Sequence, residues 1–285
     1  MSRWLPDISD DFRQFDELVD TISNLKVCVL TGAGCSTESG IPDYRGPKAK
    51  QRDPEPIRFQ EFMASRDTRR RYWARSAVGW PRFKEATPND AHRALAALES
   101  AGVARGIITQ NVDRLHQEAG SERVVELHGA LADVRCMNCA AIFDRDAVQR
   151  ELRSRNPNWV TEARALHPDG DAELPEEIPP DYEFPRCPDC DGILKPDVVF
   201  FGENVRDEVV NEAWRVMSRS DALLVVGSSL TVYSGYRFVR RARDRRKPVA
   251  IINLGETRAD DDAWVKVPAQ AGRALPRLVD RLTGS

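Results

Sequence analysis

Residues 26–46 constrain the fold more than any other stretch of the chain. They begin with a short, mostly β-branched apolar run, residues 27–30, which predicts a buried strand. Two glycines follow in Gly32-Ala33-Gly34, and glycine lets a backbone turn sharply and approach a ligand closely. Ser36, Thr37 and Ser39 then favour the opening of a helix. A strand, a glycine turn and a helix N-terminus together predict an anion site, because free N–H groups and the helix dipole point at the ligand.

Taken alone, the glycine turn leaves two interpretations open. It also fits a plain strand-to-helix turn, and Thr37 stands where a dinucleotide-binding fingerprint has its third glycine. The longer segment GAGCSTESGIPDYR, residues 32–45, is more specific. It resembles the signature of the sirtuins, a family of NAD-dependent protein deacylases. The resemblance implies a Rossmann-like domain with NAD as its cofactor.

Polar residues follow two further predicted strands. Residues 106–109 form a short apolar run that ends in QNVD, residues 110–113. Ligands of open α/β sheets bind at the carboxyl ends of strands, although Asn111 and Asp113 also suit a turn and a helix N-cap. The next predicted strand ends at His128, a position that also suits a structural histidine.

These two segments and three later ones resemble sirtuin motifs in the family's order. The later ones are LKPDVVFFGE at residues 194–203, GSSL at 227–230, and the strand that ends at Asn253. The first of them also fits an ordinary apolar strand. The resemblance spans roughly residues 25–275.

The resemblance implies roles for individual residues. His128 is the implied catalytic histidine, and Asn111 and Asp113 act beside it on the nicotinamide and ribose side of the pocket. Asp43 lines the nicotinamide pocket, and Arg45 organises a mobile cofactor loop. The implied contacts to an extended substrate peptide are Val198, Val199, Phe200, Phe201 and Gly202. The implied cofactor-binding residues are Gly32, Ala33, Gly34, Ser36, Ile41, Asp43, Tyr44, Arg45, Gln110, Asn111, Val112, Asp113, Gly227, Ser228, Ser229, Asn253, Leu254, Gly255 and Ala271.

The implied reaction is NAD-dependent removal of an acyl group from lysine. Nicotinamide leaves as the acyl oxygen attacks the ribose, His128 acts as general base on a ribose hydroxyl, and O-acyl-ADP-ribose forms. Histidine suits this role because its unperturbed pKa, about 6.5, lies near the working pH. Two alternatives stay open: transfer of ADP-ribose to a protein at the same site, and a non-catalytic NAD sensor. The intact His128 argues against the sensor.

A further resemblance concerns the acyl group. RYWAR at residues 71–75 and SGYRF at 234–238 look like the class II branch of the family, which includes the mitochondrial lipoamidase/ADP-ribosyltransferase-type sirtuin. Tyr72 and Arg75 are three apart on a predicted helix and share a face. A similar Tyr-x-x-Arg holds acidic acyl chains in the desuccinylating branch, which predicts a preference for acidic or bulky acyl groups. The pair also fits a solvated helix face.

Two Cys-x-x-Cys motifs predict a metal site. Cys136 and Cys139 form the first and Cys187 and Cys190 the second, with 47 residues between them. Four thiolates at such spacing can surround zinc tetrahedrally, although the gap exceeds the usual zinc-ribbon spacing. A redox pair is the alternative, but two pairs in one small module favour structural zinc.

The alternation of short apolar strands with amphipathic helices favours a parallel sheet covered on both faces. We predict an α/β fold, a Rossmann-like parallel sheet with an inserted zinc-binding module and an inserted helical module. The Rossmann-like NAD-binding domain takes residues 1–46, 88–130 and 196–285, the helical module 47–87, and the zinc-binding module 131–195. The predicted helices include residues 10–25 with Ser9 as N-cap, 68–79, 88–102, 207–220 and 271–283, and residues 265–267 are a predicted edge strand.

Composition and charge limit the compartments in which the protein can act and the partners that it can bind. The net charge of −3 gives no electrostatic case for nucleic acid, and no apolar run has the length of a membrane helix. The first residues, MSRWLPDISDD, lack the basic start and apolar core of a signal peptide. Six cysteines are too few for a disulfide scaffold in so long a chain. We therefore predict a cytoplasmic protein whose partners are acyl-lysine proteins, without direct nucleic-acid or membrane binding.

Overall fold

The computed structural model describes residues 12–44, 56–159, 161–174 and 177–284. The predicted N-cap Ser9 and the predicted cofactor-loop residue Arg45 lie outside these ranges. The helices are α1 (Phe12–Ile22), α2 (Phe59–Ala64), α3 (Arg66–Lys84), α4 (Asp90–Ser100), α5 (Leu115–Glu118), α6 (Arg145–Arg155), α7 (Asp207–Ser218), α8 (Tyr233–Asp244) and α9 (Ala271–Thr283). The strands are β1 (Val27–Thr31), β2 (Ala104–Thr109), β3 (Val124–Glu126), β4 (Gly129–Cys136), β5 (Ile142–Asp144), β6 (Ala165–Leu166), β7 (Ala172–Glu173), β8 (Leu194–Val198), β9 (Ala222–Val226), β10 (Val249–Ile252) and β11 (Val265–Val267). Within the described ranges, no helix combines the length and the apolar character needed to cross a membrane.

Six strands form one parallel sheet in the order β11-β10-β9-β1-β2-β3. The chain runs outward from β1 through β2 to β3 on one side, and later from β9 through β10 to β11 on the other. The strand order therefore reverses between β1 and β9. Loops that leave the carboxyl ends of two such strands diverge and open a crevice, which is the usual ligand site of this kind of sheet.

Alternate residues of β1 face two different apolar layers. Val27 and Val29 pack into a cluster with α1, α4 and α9, whereas Cys28 and Leu30 pack into a cluster with α7 and α8. Successive strand residues point to opposite faces, so a continuously apolar strand needs helices on both sides of the sheet. The Rossmann-like sheet predicted from the sequence is confirmed, and β11 is the edge strand that residues 265–267 predict.

The segment after β1, where Ser36, Thr37 and Ser39 predict the opening of a helix, does not form an α-helix. Two single 3-10 turns, Ala33–Cys35 and Thr37–Ser39, follow β1. Gly40 has a φ of +85° and ends the second turn, and Pro42 comes two residues later. Because the left-handed residue and the proline stop further helical growth, the predicted anion site at an α-helix N-terminus, with its dipole, is wrong in that form.

A smaller lobe packs around one apolar cluster that α2 and α3 share with α6, β4 and β8, with Phe62, Trp73 and Val134 at its centre. Strands β5, β4 and β8 form an antiparallel sheet in this lobe. The helix predicted at residues 68–79 is the middle of α3, which continues to Lys84 and contains Pro81. The described parts of the predicted helical and zinc-binding modules thus share a core.

Candidate active site

One cavity of about 1130 Å³ lies between the carboxyl edge of the large sheet and the smaller lobe. It collects residues that are far apart in the sequence. The predicted site residues that line it are Gly32, Ala33, Gly34, Ser36, Ile41, Asp43, Tyr44, Tyr72, Gln110, Asn111, Val112, Asp113, His128, Val198, Val199, Phe200, Phe201, Gly202, Gly227, Ser228, Ser229, Asn253, Leu254, Gly255 and Ala271. Of the predicted residues outside the metal cluster, Arg75 does not line it, and Arg45 lies outside the described ranges.

Two glycine turns meet at the point where the strand order reverses. The Gly34 amide donates a 2.8 Å hydrogen bond to the Gly227 carbonyl, which joins the turn after β1 to the turn after β9. A Cβ on Gly34 would lie 2.9 Å from the Gly227 Cα, so a side chain there would push the turns apart. Ser228 also contacts this junction, and its hydroxyl accepts a 2.8 Å hydrogen bond from the Gln110 side chain. The resulting floor of backbone amides and hydroxyls fits the phosphates of a dinucleotide.

Ser36 joins the turn after β1 to the two polar residues after β2. Its hydroxyl donates a 2.6 Å hydrogen bond to Asp113 Oδ2 and accepts one of 2.9 Å from Asn111 Nδ2. Asp113 Oδ1 also accepts from the Leu115 amide, which is the turn-and-cap role that the residues alone suggested. Desolvation raises the pKa of Asp113 although both of these hydrogen bonds favour the carboxylate. Asp113 therefore combines a structural role with a place on the cavity wall.

His128 lines the cavity in a defined tautomer. Its Nδ1 lies 3.0 Å from the Gln110 carbonyl, which can only accept, so Nδ1 carries the proton. Nε2 then holds a lone pair and accepts a 2.7 Å hydrogen bond from the Ser234 hydroxyl. The pKa of His128 is lowered to about 4, chiefly because the surrounding protein desolvates the ring; the hydrogen bond that Nδ1 donates to the Gln110 carbonyl raises it, and the positive charge of Arg237 lowers it. The ring is therefore a neutral base at physiological pH.

Two residues at the start of α8 belong to the site and were not predicted. Ser234 and Arg237 both line the cavity beside His128. The Arg237 guanidinium lies 5.7 Å from the centre of the Tyr233 ring, and its Nε has no hydrogen-bond partner in the described part of the chain. Both residues fall within SGYRF, the segment that the sequence connected only with a branch of the family. That motif was the one sequence signal for Ser234 and Arg237. Their position beside His128 depends on how α8 packs, which the motif does not show.

A second cluster of metal-binding residue types lies behind the glycine turn. Cys35, His92 and His116 are fully buried or nearly so, and their ligand atoms lie within 4.8 Å of one another. Burial raises the pKa of the Cys35 thiol and lowers that of His92 to about 4 and of His116 to about 3. His116 Nε2 already bonds to the Thr31 hydroxyl at 2.9 Å. A protonated thiol and neutral, engaged rings are typical of a packed core.

Tyr72 and Arg75, the pair that the sequence predicts to hold an acidic acyl chain, lie differently with respect to the cavity. Tyr72 is buried and lines the cavity, with its ring against Phe62 and Phe200. Arg75 instead places Nη2 3.1 Å from Asp171 Oδ2 and donates from Nε to the Ala172 carbonyl. The guanidinium is thus neutralised before any ligand arrives, which removes the main argument for an acidic acyl chain. Asp171 lies in the insertion between the cysteine pairs, in a stretch for which no site residue is predicted.

The segment after β8 follows the wall of the cavity next to His128. The Val199 amide donates to the His128 carbonyl at 2.8 Å, and Phe201 forms an isolated parallel bridge with Arg58. Lys195 is 3% exposed and donates to the Val198 carbonyl at 2.5 Å and to Glu203 at 3.1 Å, which holds the segment from beneath. Phe201 itself is exposed.

The four predicted cysteine ligands form one cluster in the smaller lobe. All are free thiols whose sulfur atoms lie within 4.8 Å of one another. Cys136 and Cys190 are 3.5 Å apart, and Cys139 and Cys187 are 3.7 Å apart. A tetrahedral zinc with Zn–S bonds of about 2.3 Å needs sulfurs about 3.8 Å apart, so the donor set fits zinc. None of the four lines the cavity, which indicates a structural metal.

Comparison with known proteins agrees with this geometry. The model of the Sir2 family matches residues 32–234. The chain is 52% identical over 254 residues to "NAD-dependent protein deacetylase 2" of Bradyrhizobium diazoefficiens, covering 89% of this chain and 93% of the relative. It is 47% identical over 258 residues to "NAD-dependent protein lipoamidase sirtuin-4, mitochondrial" of Bos taurus, covering 90% of this chain and 82% of the relative. Among solved structures, "Sir2-p53 peptide-NAD+" matches with a TM-score of 0.77 and 31% identity, covering 95% of this chain and 99% of that one.

Proposed function

The chain belongs to the Sir2 family and is an NAD-dependent protein deacylase, and we propose that His128 is the general base of its reaction. The protein releases nicotinamide and O-acyl-ADP-ribose from NAD and an acyl-lysine, and it carries zinc through its four clustered cysteines. The single observation behind the proposal is the His128 tautomer. Nδ1–H is fixed on the Gln110 carbonyl, so that the Nε2 lone pair is the proton acceptor in the cavity.

NAD supplies the ADP-ribosyl group that accepts the acyl group. The chain's own residues position the dinucleotide and deprotonate a ribose hydroxyl. The glycine turns after β1 and β9 and Ser228 hold the phosphates, and Asn253 to Gly255 and Ala271 border the adenosine end. Asn111 and Asp113, fixed by Ser36, orient the nicotinamide-ribose next to His128. His128 Nε2 then takes a proton from a ribose hydroxyl, which makes that oxygen nucleophilic toward the acyl carbon.

The substrate is an acyl-lysine on a protein, and we place its backbone along residues 198–202. This segment is tied to the His128 carbonyl through Val199 and is kept extended by Lys195, so a neighbouring strand would deliver its lysine toward the base. The domain limits, the cytoplasmic location and the class II branch stay proposals; the match to the bovine lipoamidase supports the branch. ADP-ribosyl transfer to a protein is the weaker alternative, because these two relatives are named for removal of an acyl group.

The test compares wild type with His128→Ala. We expect the Kd for NAD, measured by calorimetry, to stay within a few-fold of the wild-type value. The rate of deacylation of an acetyl-lysine peptide should fall by about 10²–10⁴-fold. Mass spectrometry of the treated peptide distinguishes loss of an acyl group from gain of ADP-ribose. Thermal unfolding and zinc content of the variant control for folding. Near-normal deacylation in a folded His128→Ala protein would contradict the assignment, and absence of nicotinamide release in wild type would favour the NAD sensor.

A further inference from the structure

The cavity that His128 lines has two chemically different ends. The glycine turns form one end, with backbone amides and hydroxyls that suit a dinucleotide. The other end, which we name the acyl arm, is lined by Tyr72, Phe83, Pro168, Asp169, Asp171 and Val198. If the protein is a deacylase as proposed, the acyl group reaches His128 with its chain in this arm, because the dinucleotide occupies the other end.

The charged groups that line the acyl arm are both acidic. Asp169 and Asp171 come from the turn between β6 and β7. The nearby cation, Arg75, is absent from the cavity wall and is engaged by Asp171. Among the described residues that line the cavity, the one arginine or lysine is Arg237, which comes from α8 beside Ser234. Because Arg75 balances the charge of Asp171, a carboxylate on the end of an acyl chain would meet the uncompensated negative charge of Asp169 in the arm.

Asp171 also has an unused hydrogen-bond acceptor. Its side chain is 5% exposed, and Oδ1 has no partner in the described part of the chain although Oδ2 is paired with Arg75. The turn cannot easily shift to correct this, because the Gly170 carbonyl would lie 2.2 Å from a Cβ placed on Gly79 of α3. A buried oxygen without a donor is unfavourable, and a ligand that brings a donor removes the cost.

We propose that the acyl arm accepts neutral acyl chains and chains that end in a hydrogen-bond donor or an ammonium group, and that it rejects chains that end in a carboxylate. Asp169 sets this selectivity through like-charge repulsion, and Asp171, whose charge Arg75 already balances, contributes through its unpartnered Oδ1. The proposal reverses the preference for acidic acyl groups that the Tyr72 and Arg75 spacing predicted. It rests on the deacylase function and extends it to the class of acyl group.

The experiment uses three acyl-lysine peptides of matched chain length, which carry a valeryl, a 4-aminobutyryl or a glutaryl group. They differ at the chain end alone, as methyl, ammonium or carboxylate. We expect kcat/KM of the zinc-loaded enzyme to be highest for the valeryl and 4-aminobutyryl peptides. The value for the glutaryl peptide should be lower by about tenfold or more. An acetyl peptide, which lacks the longer chain and its end group, reports the rate of deacylation itself.

Variants identify the groups responsible. Asp171→Asn leaves Arg75 without its carboxylate and should raise glutaryl relative to valeryl turnover about tenfold. If that variant does not fold, Asp169→Asn should shift the ratio in the same direction. Glu173→Gln is the matched control, because it removes a charge from the same hairpin without lining the cavity, and it should leave the ratio unchanged.

The outcomes separate the inference from the function on which it rests. NAD-dependent turnover with glutaryl as the best substrate, or a ratio that neither Asp variant changes, overturns the inference and leaves the deacylase function intact. No turnover of any of the four peptides, with no nicotinamide release, overturns the function and the inference together.

Discussion

The lowered pKa of His128 predicts an unusual pH dependence of catalysis. An imidazole with the ordinary pKa of about 6.5 is about 10% neutral at pH 5.5, whereas one with a pKa of about 4 is about 97% neutral there. We therefore expect kcat/KM for NAD to stay nearly constant from pH 8 to about pH 5 and to halve near pH 4. The free-enzyme pKa governs this profile, so kcat/KM is the quantity to measure.

Two arginines on α8 give a matched pair of variants for the same profile. Arg237 lines the cavity and its charge lowers the pKa of His128, whereas Arg240 is exposed and bonds to the Tyr233 hydroxyl. Arg237→Met should move the acid limb to higher pH, and Arg240→Met should leave it in place. A wild-type limb with an apparent pKa between 6 and 7 would refute the reasoning, provided that the protein is still folded at that pH.

Folding has to be followed in the same experiment, because three histidines are held neutral. The pKa of His92, His116 and His128 is lowered to about 4, 3 and 4. The unfolded chain binds protons near pH 6.5, so the folded state loses stability as the pH falls from about 6.5 toward 4. The loss reaches about 1.4 kcal/mol per pH unit for each ring. Thermal unfolding at each pH, and recovery of activity on return to pH 7.5, separate this effect from titration of the base.

Two further predictions concern the architecture. Metal analysis should find one zinc per chain, and active protein with well under one zinc per chain would contradict this. Cys190→Ser should lower the thermal unfolding temperature and reduce activity indirectly, because metal binding is coupled to folding of the lobe. Gly129→Ala should destabilise by about 2 kcal/mol or more and misplace the neighbouring base, because Gly129 has a φ of +77° and a Cβ there would lie 1.8 Å from the Asp197 carbonyl. Chemical denaturation and deacylation assays check it, and an unchanged unfolding midpoint would show that the backbone relaxes freely.

The local sequence pattern was sufficient to predict most of the large parallel sheet and the cysteine cluster. The apolar run at residues 27–30 became the central strand β1, and residues 265–267 became the edge strand β11. The cysteine spacing led to a cluster with the geometry of a zinc site. These predictions succeed because strand burial and thiolate ligation depend on residue type and short-range spacing, which a sequence displays directly.

Contacts between distant segments were decided by the tertiary structure alone. Arg75 lies on α3 as the spacing predicts, but its charge is cancelled by Asp171, which the chain reaches 96 residues later. Ser234 reaches the lone pair of His128 because α8 packs on the sheet at that point. Where Ser36, Thr37 and Ser39 predict the opening of a helix, the chain forms two 3-10 turns. The free energy of a side chain in a site depends on the groups that surround it after folding, and local spacing carries no information about partners brought from elsewhere in the chain.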